Sequence, residues 1–433
     1  MAAVGIRHIT HVLSFQIEAA NLVENGSFTS DRKFLGTWGW DPEQFTKGEI
    51  ENQVTRSDFG YNEAGVGLAH VNSNFTFNCY PQGIGDPDAD GDLGCPAGEL
   101  AAGNAFTYLL QSALGDSTVA YSTGSVGHAT TGANTTTAIR EATPGNHGAS
   151  QFMCMRDLDD TANGIKAICR PILSYNTDVM TLAMAIPTGT LDDFNTAAAA
   201  VSGTAILYGG ANIIMAENCD VVLQGDILGN HTTLGFKFFG AFLNFSIGEV
   251  GNGEAPFFAW EGKIGAFSRN IATSRTGVSS LRPNTLAGGE YLLAKHGNTA
   301  PTFLKVLRMG FNFGRTPTAD SEQNIEGFGG WVATDQAAEL TLYAHHNASV
   351  PAGFTATDYI SLWESGGAEN QFHYMFALGC KVPGRIVAGY IPHMHMCKEP
   401  RRVQVDGISM LKMVFRFSQG GTEGVAKMWM GQF

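Results

Sequence analysis

Apolar and polar residues alternate in many short segments of this chain, and the alternation predicts β-strands. Near the C-terminus, residues 372–378 and 411–417 carry an apolar side chain at every second position, which places these side chains on one face of an extended strand. A β-branched run over 384–391 predicts a third strand that ends at Pro392, and Asp406-Gly407 predicts a turn. Three such strands, each with one buried and one exposed face, predict an antiparallel sheet.

The rest of the chain predicts further strands and two helices. Apolar residues at helical spacing from Phe106 to Leu114, followed by Gly115, predict one helix, and residues 358–365 before Gly366 predict another. Residues 116–149 show no period and are predicted to form a long surface loop or arm. Other strands are predicted at 11–17, 74–80, 151–156, 164–172, 179–186, 220–228 and in a hairpin over 236–267 that turns at 251–253. The predicted fold class is all-β with short helices.

The order of elements starts again after residue 298, which predicts an internal duplication. The run 305–313 is similar to 11–17, and the run 340–342 is similar to 75–77. Both 75–77 and 340–342 are followed by a predicted helix that ends at a glycine. For the strands near the C-terminus, two partners in the first copy stay open, namely 151–155 and the hairpin over 236–267. We predict a longer first module over 1–269, a linker over 270–298 and a second module over 299–433.

Composition and charge limit the possible functions. Of the 433 residues only 15% are charged, against roughly 25% in ordinary domains, so the surface must be neutral and polar or covered by other subunits. The 40 acidic and 26 basic residues give a formal charge of −14. This balance argues against a protein that grips phosphates through basic patches. It suits a surface that DNA passes without binding.

The cysteines and the N-terminus indicate an intracellular origin. The seven cysteines include no Cys-x-x-Cys pair and are predicted to be mostly reduced, buried thiols. Residues 1–12 contain no apolar run long enough for a signal peptide or a membrane helix. We therefore expect folding in a cytoplasm and no membrane partner.

An acidic segment is the strongest candidate for metal binding. Asp86, Asp88, Asp90 and Asp92, with Gly91, have the start of a calcium loop. The bidentate glutamate expected at the twelfth position is Ala97, although Glu99 follows closely. A solvated acidic turn is therefore the favoured interpretation. No cofactor is predicted, and calcium bound at this turn is the alternative.

Other candidate sites are weaker. His393 and His395 would share one face of a strand near Cys397, and His8 lies close to His11, but neither pair has an evident third ligand. The pair His345-His346 has no informative spacing, and the methionines at 394, 396, 410 and 413 are expected to fill core or interface space. The sequence shows no Gly-x-Ser-x-Gly elbow and no Walker loop. We therefore predict no catalytic residue and a protein that is not an enzyme.

The element order and two groups of short motifs carry a family resemblance. The first group is Gly-Ala-Phe-Leu-Asn-Phe at 240–245, Gly-Glu-Ala-Pro at 253–256 and Trp-Glu-Gly at 260–262. The second is Gly-Arg-Ile-Val at 384–387, Ile-Pro at 391–392 and Asp-Gly-Ile at 406–408. With these motifs the chain resembles the tail tube (major tail) proteins of tailed bacteriophages, especially the two-module kind of long-tailed phages. Residues 116–149 and 187–218 depart from the family pattern.

The resemblance implies a fold and an assembly. It implies tandem antiparallel β-sandwich or half-barrel modules whose inner sheets close into a ring in the assembly. Homotrimeric, pseudo-hexameric rings or, alternatively, hexameric rings would stack into a hollow tube. Closed sheets remove exposed edges, and head-to-tail stacking of rings produces a filament.

The resemblance also implies a function. The chain would be a structural virion protein, assembled in the host cytoplasm, with a tape-measure protein and tail-end proteins as partners. DNA would pass through the lumen during ejection without specific binding. Alternatives are another β-rich virion protein, such as a tail terminator or baseplate ring, and a carbohydrate-binding or enzymatic β-sandwich protein.

Overall fold

The structure is a computed structural model, and strands dominate the part of the chain that it describes. Strands account for 61% and helices for 9% of the residues, so the predicted all-β class with short helices is confirmed. The structure describes residues 11–20, 33–39, 49–52, 65–68, 73–84, 104–116, 118–122, 134–140, 145, 147–157, 167–187, 205–208, 210–216, 221–228, 235–250, 256–271, 289–320, 330–379, 386–418 and 428–433.

The described residues form two α-helices and 26 strands. The helices are α1 (Ala105–Leu114) and α2 (Tyr359–Ser365), and a 3-10 helix follows at Gly367–Asn370. Neither α-helix is long and apolar enough to cross a membrane. In the first half the strands are β1 (His11–Ile17), β2 (Lys33–Thr37), β3 (Glu49–Asn52), β4 (Gly65–Leu68), β5 (Ser73–Cys79), β6 (Ala120–Ser122), β7 (Ala138–Arg140), β8 (Phe152–Asp157), β9 (Ala167–Asn176), β10 (Val179–Leu182), β11 (Ala205–Tyr208), β12 (Gly210–Ile214), β13 (Leu223–Leu228), β14 (Gly235–Val250), β15 (Phe258–Ile264) and β16 (Ala266–Ile271). In the second half they are β17 (Gly289–Lys295), β18 (Thr302–Phe303), β19 (Val306–Asn312), β20 (Arg315–Asp320), β21 (Gly330–Gln336), β22 (Glu339–His345), β23 (Phe372–Leu378), β24 (Val387–Val405), β25 (Ile408–Phe417) and β26 (Trp429–Gln432).

The helix predicted before Gly115 is present as α1, and its sequence explains both ends. The Asn104 side chain accepts a hydrogen bond from the Thr107 amide, and the Thr107 hydroxyl accepts one from the Asn104 amide. This reciprocal capping box satisfies two free amides of the first turn. At the other end Gly115 adopts a φ of 72°, and its N–H donates to the carbonyl of Gln111, as expected for a left-handed cap.

The first half contains a closed, six-stranded antiparallel circuit. β1 pairs with β2 on one side and with β13 on the other. β13 pairs with β14, β14 with β15 and β15 with β5. Two backbone hydrogen bonds between Trp38, which follows β2, and Asn78 of β5 close the circuit. α1 contacts β1, β2, β13 and β14 of this circuit.

The second half repeats this circuit with its strands in the same chain order. β17 pairs with β18 and with β23, as β1 pairs with β2 and β13. β23 pairs with β24, β24 with β25 and β25 with β22. The circuit closes through β19, which follows β18 and pairs with β22. β5 and β22 hold equivalent places in the two circuits. In each half an α-helix follows this strand in the chain and precedes the next strand of the circuit.

Two further elements correspond between the halves. A two-stranded hairpin, β3–β4 in the first half and β20–β21 in the second, is inserted between the same two circuit strands. A final strand, β16 or β26, pairs with the N-terminal part of the longest strand of its half. These matches align β1 with β17, whereas the sequence similarity aligned residues 11–17 with 305–313. They also match β14–β15 to β24–β25, which was one of the two options left open.

An inserted sheet distinguishes the first half. Strands β6 to β12 lie between α1 and β13, and β11, β8, β9, β10 and β7 form a separate five-stranded sheet. Its side chains Phe152, Cys154 and Cys169 are buried against Met375 and Ala377 of β23. The insertion therefore packs as the second layer of a sandwich over the second half. β6 and β7 lie within the range 116–149, which was predicted as a loop.

Three details of the second half correct the sequence expectations. The expectation that the strand at 372–378 exposes one face is wrong, because the inserted sheet covers that face and β23 is buried throughout. The expectation that the next strand ends at Pro392 is wrong, since β24 continues to Val405. The register of β23 against β24 shifts opposite Pro392, and this irregularity accommodates a residue without an N–H. β17, with buried Leu292 and Leu293, lies inside the range 270–298 that was predicted as a linker.

Candidate assembly surface

The two circuits share one continuous antiparallel sheet. β14 of the first half pairs with β19 of the second, with Ser246 opposite Asn312 and Ile247 opposite Phe311. Together with the pairings inside each half, this contact gives the seven-stranded order β5–β15–β14–β19–β22–β25–β24. We call it the joined sheet. It spans both repeats, with β5 at one end and β24 at the other.

The joined sheet has one polar and one apolar face. One row of directly opposed residues crosses all seven strands and consists of Asn78, Ala259, Ser246, Asn312, Glu339, Arg416 and His395. The neighbouring row points to the other face and consists of Cys79, Phe258, Ile247, Phe311, Leu340, Phe415 and Met396. Every residue of the second row is buried. The apolar face therefore covers the core, and the polar face is the outer surface of the sheet.

Charged side chains are concentrated on the polar face at the β24 end. Glu339 of β22 accepts a hydrogen bond from Arg416 at 2.8 Å and lies 3.5 Å from the Lys398 ammonium group. The hydrogen bond from Arg416 is the main reason that the pKa of the Glu339 carboxyl group is lowered. The carboxylate thus stays ionised and bridges two cations on adjacent strands.

Beyond Arg416 and Lys398, further cations lie between this cluster and the tip of the β24–β25 hairpin. The guanidinium group of Arg308 lies 3.0 Å from the carboxylate of Asp406 in the hairpin turn. The ammonium group of Lys412 lies 5.2 Å from the centre of the Tyr343 ring, within the range of a cation–π contact. Arg401 and Arg402 are exposed, and neither forms an ion pair with any residue that the structure describes. We call Lys398, Arg401 and Arg402 of β24 the basic edge.

The far side of β24 is an open sheet edge. β23 pairs with β24 only up to Met394, and the amide side chain of Asn370 makes both hydrogen bonds to the backbone of Met396. Beyond that point, over 397–405, this side of β24 pairs with no strand in the described part of the chain. Exposed lysine and arginine, and proline, are typical of edges that resist indiscriminate pairing. Lys398 and Arg401 are exposed, and Pro400 between them is buried and has no backbone N–H to donate.

The predicted histidine and cysteine candidates lie on β24 but do not converge. The ring of His393 lies against that of His296, with centroids 3.9 Å apart and the ring planes tilted by 41°. His395 lies beside Arg416, and burial is the main cause of its lowered pKa. The Cys397 thiol donates to the carbonyl of Val414. No group of three histidine, cysteine, aspartate or glutamate residues placed to hold a metal ion occurs among the described residues.

The remaining candidates have different outcomes. Asp86, Asp88, Asp90 and Asp92, together with His8 and the side chain of His11, lie outside the described residues. Four of the seven cysteines are described, all as free thiols, and Cys79, Cys154 and Cys169 are buried. His345 and His346 lie at the end of β22, where the His345 amide donates to the carbonyl of Lys305.

Two buried polar groups were not predicted from the sequence. The ring of His373 hydrogen-bonds through Nδ1 to the Tyr390 hydroxyl and through Nε2 to the carbonyl of Asn298, both at 2.9 Å. Arg170 of the inserted sheet is fully buried and pairs with Glu290 of β17. For Arg170 the sequence signal was a charged residue inside an apolar strand, Ile-Cys-Arg-Pro-Ile at 168–172. The sequence around His373 gave no signal that the ring would be buried.

These observations define an all-β protein with a structural repeat, an inserted sheet and a two-faced sheet shared by both halves. Neither the protein-family models nor the curated proteins that we compared with this sequence gave a match. We therefore base the functional proposal on the joined sheet.

Proposed function

We propose that this chain is a non-enzymatic structural subunit that assembles into stacked rings and forms a hollow tube, as tail tube proteins of tailed phages do. The observation that carries the proposal is the joined sheet, in which two equivalent repeats contribute adjacent strands to one surface. A sheet with a polar face, an apolar face and an open edge can continue into the sheet of a second copy. When the rotations between successive copies add up to one full turn, head-to-tail contacts of this kind produce a ring.

The geometry supports a specific arrangement within the ring. The open edge of β24 in one copy would meet β5 in the next copy, in the part of β5 that precedes the two hydrogen bonds between Asn78 and Trp38, and the polar face would line the bore. Two repeats per chain favour three chains per ring, so that six modules surround the lumen. The first module would then carry the inserted sheet, and the second would begin with β17 at Gly289 rather than after residue 298.

The paired hairpins support stacking of the rings. β3–β4 and β20–β21 occupy equivalent places in the two repeats and belong to neither circuit. Two such hairpins per chain, each outside its circuit, suit contacts to an adjacent ring. DNA, a tape-measure protein and tail-end proteins are the partners that follow from a phage tube, and the virion is the location. A tail terminator or baseplate ring would use the same sheet without forming a long tube.

The register of the β24–β25 hairpin provides a sharp test. Asp406 and Gly407 form a two-residue turn with φ values of 51° and 79°, so Val405 and Ile408 make the hydrogen-bonded pair that closes it. The backbone N–H of Gln404 then points away from β25, toward the open edge. Replacing Gln404 with proline removes this donor, whereas Gln404→Ala keeps it.

The experiment is electron microscopy of the purified full chain with mass determination of the rings. Wild type and Gln404→Ala are expected to form rings or tubes of uniform bore with three chains per ring, and Gln404→Pro is expected to stay monomeric with unchanged thermal stability. Six chains per ring would contradict the use of both repeats. A wild-type chain that stays monomeric at high concentration and binds a sugar saturably would overturn the proposal in favour of a carbohydrate-binding protein.

A further inference from the structure

We propose that Cys154 and Cys169 are a redox-active pair, which a small peroxide converts from the dithiol of this structure into a disulfide that joins β8 to β9. The inference is independent of the proposed function, because it concerns two strands inside one chain. It assigns a modification site to the face of the inserted sheet that packs on the second repeat.

The two cysteines are direct partners across adjacent antiparallel strands. Cys154 of β8 lies opposite Cys169 of β9. Both side chains are fully buried in the same cluster, between the inserted sheet and β23. Their thiol groups form a hydrogen bond with each other. The two sulfur atoms are therefore already neighbours in the reduced protein.

The register of the two strands places the cysteines at a suitable distance for a disulfide. The N–H of Ile172 donates to the carbonyl of Gln151, which makes the pair next to them along the ladder a non-hydrogen-bonded pair. The two types of pair alternate in an antiparallel ladder. Cys154 and Cys169, two positions further on, are therefore again a non-hydrogen-bonded pair. The Cα atoms of such a pair are about 4.5 Å apart, within the roughly 4.4 to 6.8 Å that disulfides span.

Burial protects the thiols while the inserted sheet is packed on the second repeat. The thiolate is the reactive form of cysteine. Burial is the main cause that raises the pKa of Cys169 well above its ordinary value, and the Cys154 thiol and the Glu290 carboxylate add to it, against the Arg170 guanidinium group. Oxidation is therefore expected to follow a local opening that separates β8 and β9 from β23.

The reaction balances with one molecule of hydrogen peroxide. The thiolate of one cysteine attacks a peroxide oxygen, the O–O bond breaks, and a sulfenic acid and hydroxide form; the hydroxide takes up the proton that the thiol had released. The second thiol then attacks the sulfenic sulfur, the S–S bond forms, and a second water leaves with its proton. The two sulfur atoms together lose two electrons, which the peroxide gains.

The disulfide is expected to stabilise the protein. It closes a loop from residue 154 to residue 169 and restricts the unfolded chain, whereas the folded chain already holds the two residues in place. The midpoint of thermal unfolding is therefore expected to be a few degrees higher for the oxidised chain than for the reduced chain.

Mass spectrometry of the full-length chain tests whether the bond forms. The reduced protein, freed of reductant, is treated with hydrogen peroxide in buffer and in urea below the unfolding midpoint. Remaining thiols are then blocked with N-ethylmaleimide under denaturing conditions, and the chain is digested without reduction. We expect peptides linked through Cys154 and Cys169, formed slowly in buffer and severalfold faster in urea. Cys154→Ser is expected to remove the link. The matched control Cys397→Ser, at a half-buried thiol bonded to a backbone carbonyl, is expected to keep it.

Thermal unfolding of the oxidised and reduced wild-type chain tests the consequence and needs no variant. The difference in midpoint is expected to disappear after treatment with dithiothreitol. Recovery of Cys154 and Cys169 as unlinked thiols or sulfinic acids, in buffer and in urea alike, would overturn the inference. Links mainly to other cysteines, or a linked chain that is no more stable than the reduced chain, would overturn it as well. None of these results depends on whether the chain forms rings, so the tube proposal is tested separately.

Discussion

The guanidinium group of Arg170 and the carboxylate of Glu290 form a two-pronged ion pair, with Nη1–Oε2 and Nη2–Oε1 distances of 2.8 and 2.9 Å. Arg170 belongs to the inserted sheet and Glu290 to the first strand of the second repeat. The same Nη1 also donates to the carbonyl of Cys169. The pair therefore attaches the inserted sheet to the second repeat at a fully buried cation.

Removing one member of this pair is expected to be costly. Glu290→Gln leaves a buried guanidinium without its counter-charge, and we expect a loss of about 3 kcal/mol in the free energy of unfolding. In the double variant Arg170→Met/Glu290→Gln the loss is expected to be smaller than the sum of the single losses, because no uncompensated charge remains. Urea denaturation measures both. The control is Arg140→Gln, whose ion pair with Asp178 is partly exposed and is expected to contribute less than about 1 kcal/mol.

His373 is expected to make the fold sensitive to acid. Burial is the main cause that lowers its pKa to about 4, whereas the unfolded chain has the ordinary value near 6.5. Between these values the unfolded chain binds the proton and the folded chain does not, so stability falls as the pH decreases from 6.5 to 4. The expected loss is about 3 kcal/mol.

Unfolding in urea at pH 7.5 and pH 4.5 tests this expectation. His373→Gln is expected to be less stable than wild type at pH 7.5 and to lose less stability on acidification. His346, which is exposed, supplies the matched control His346→Gln, with the same pH dependence as wild type. An equal acid response in wild type and His373→Gln would contradict the role of the buried ring.

The β14–β15 hairpin is expected to tolerate no side chain at Gly262. A Cβ atom there would lie 1.9 Å from the carbonyl oxygen of Phe242, so the strands of the joined sheet would have to separate. We expect Gly262→Ala to lower the free energy of unfolding by about 3 kcal/mol or more. At Gly248 in the same hairpin the nearest atom would be 3.5 Å away, and Gly248→Ala is expected to cost less than about 1 kcal/mol. Thermal and urea unfolding of the two variants make the comparison.

Trp331 is expected to hold the β20–β21 hairpin against the first repeat. Its indole N–H donates to the carbonyl of Gly240 at 2.8 Å, at the point where β14 has a φ of 61°. Trp331→Phe removes this donor, and we expect a loss of about 1 kcal/mol with faster proteolytic cleavage of the hairpin. Val332 is half exposed, so Val332→Ala is expected to change neither property. Limited proteolysis followed by mass spectrometry locates the cleavage.

Several elements could be predicted from local patterns because a local cause produces them. The helix before Gly115 has its own capping residues and apolar spacing, and the strands at 11–17 and 372–378 have a two-residue period. Asp406-Gly407 supplies the positive φ values of its turn. The similarity of 340–342 to 75–77 also pointed to strands, β22 and β5, that hold equivalent places in the two repeats.

Distant parts of the chain decide the remaining features. The alignment of β1 with β17 depends on which strands pair, and pairing is not encoded in a single strand. β23 has no exposed face because the inserted sheet, some 200 residues earlier in the chain, covers it. The low pKa of His373 depends on its burial between Tyr390 and Asn298, and Arg170 is buried where the inserted sheet meets Glu290 of β17.

The sequence by itself determined the all-β class, the caps and turns, and the alternation that gives each strand two distinct faces, since these depend on residues a few positions apart. Only the tertiary structure decided that β14 and β19 join two repeats into one sheet, that β24 keeps an open edge and that its cations gather there. Strand pairing brings residues together across hundreds of positions, and the gain in burial and hydrogen bonding depends on the complete set of partners. The candidate assembly surface is a product of that pairing.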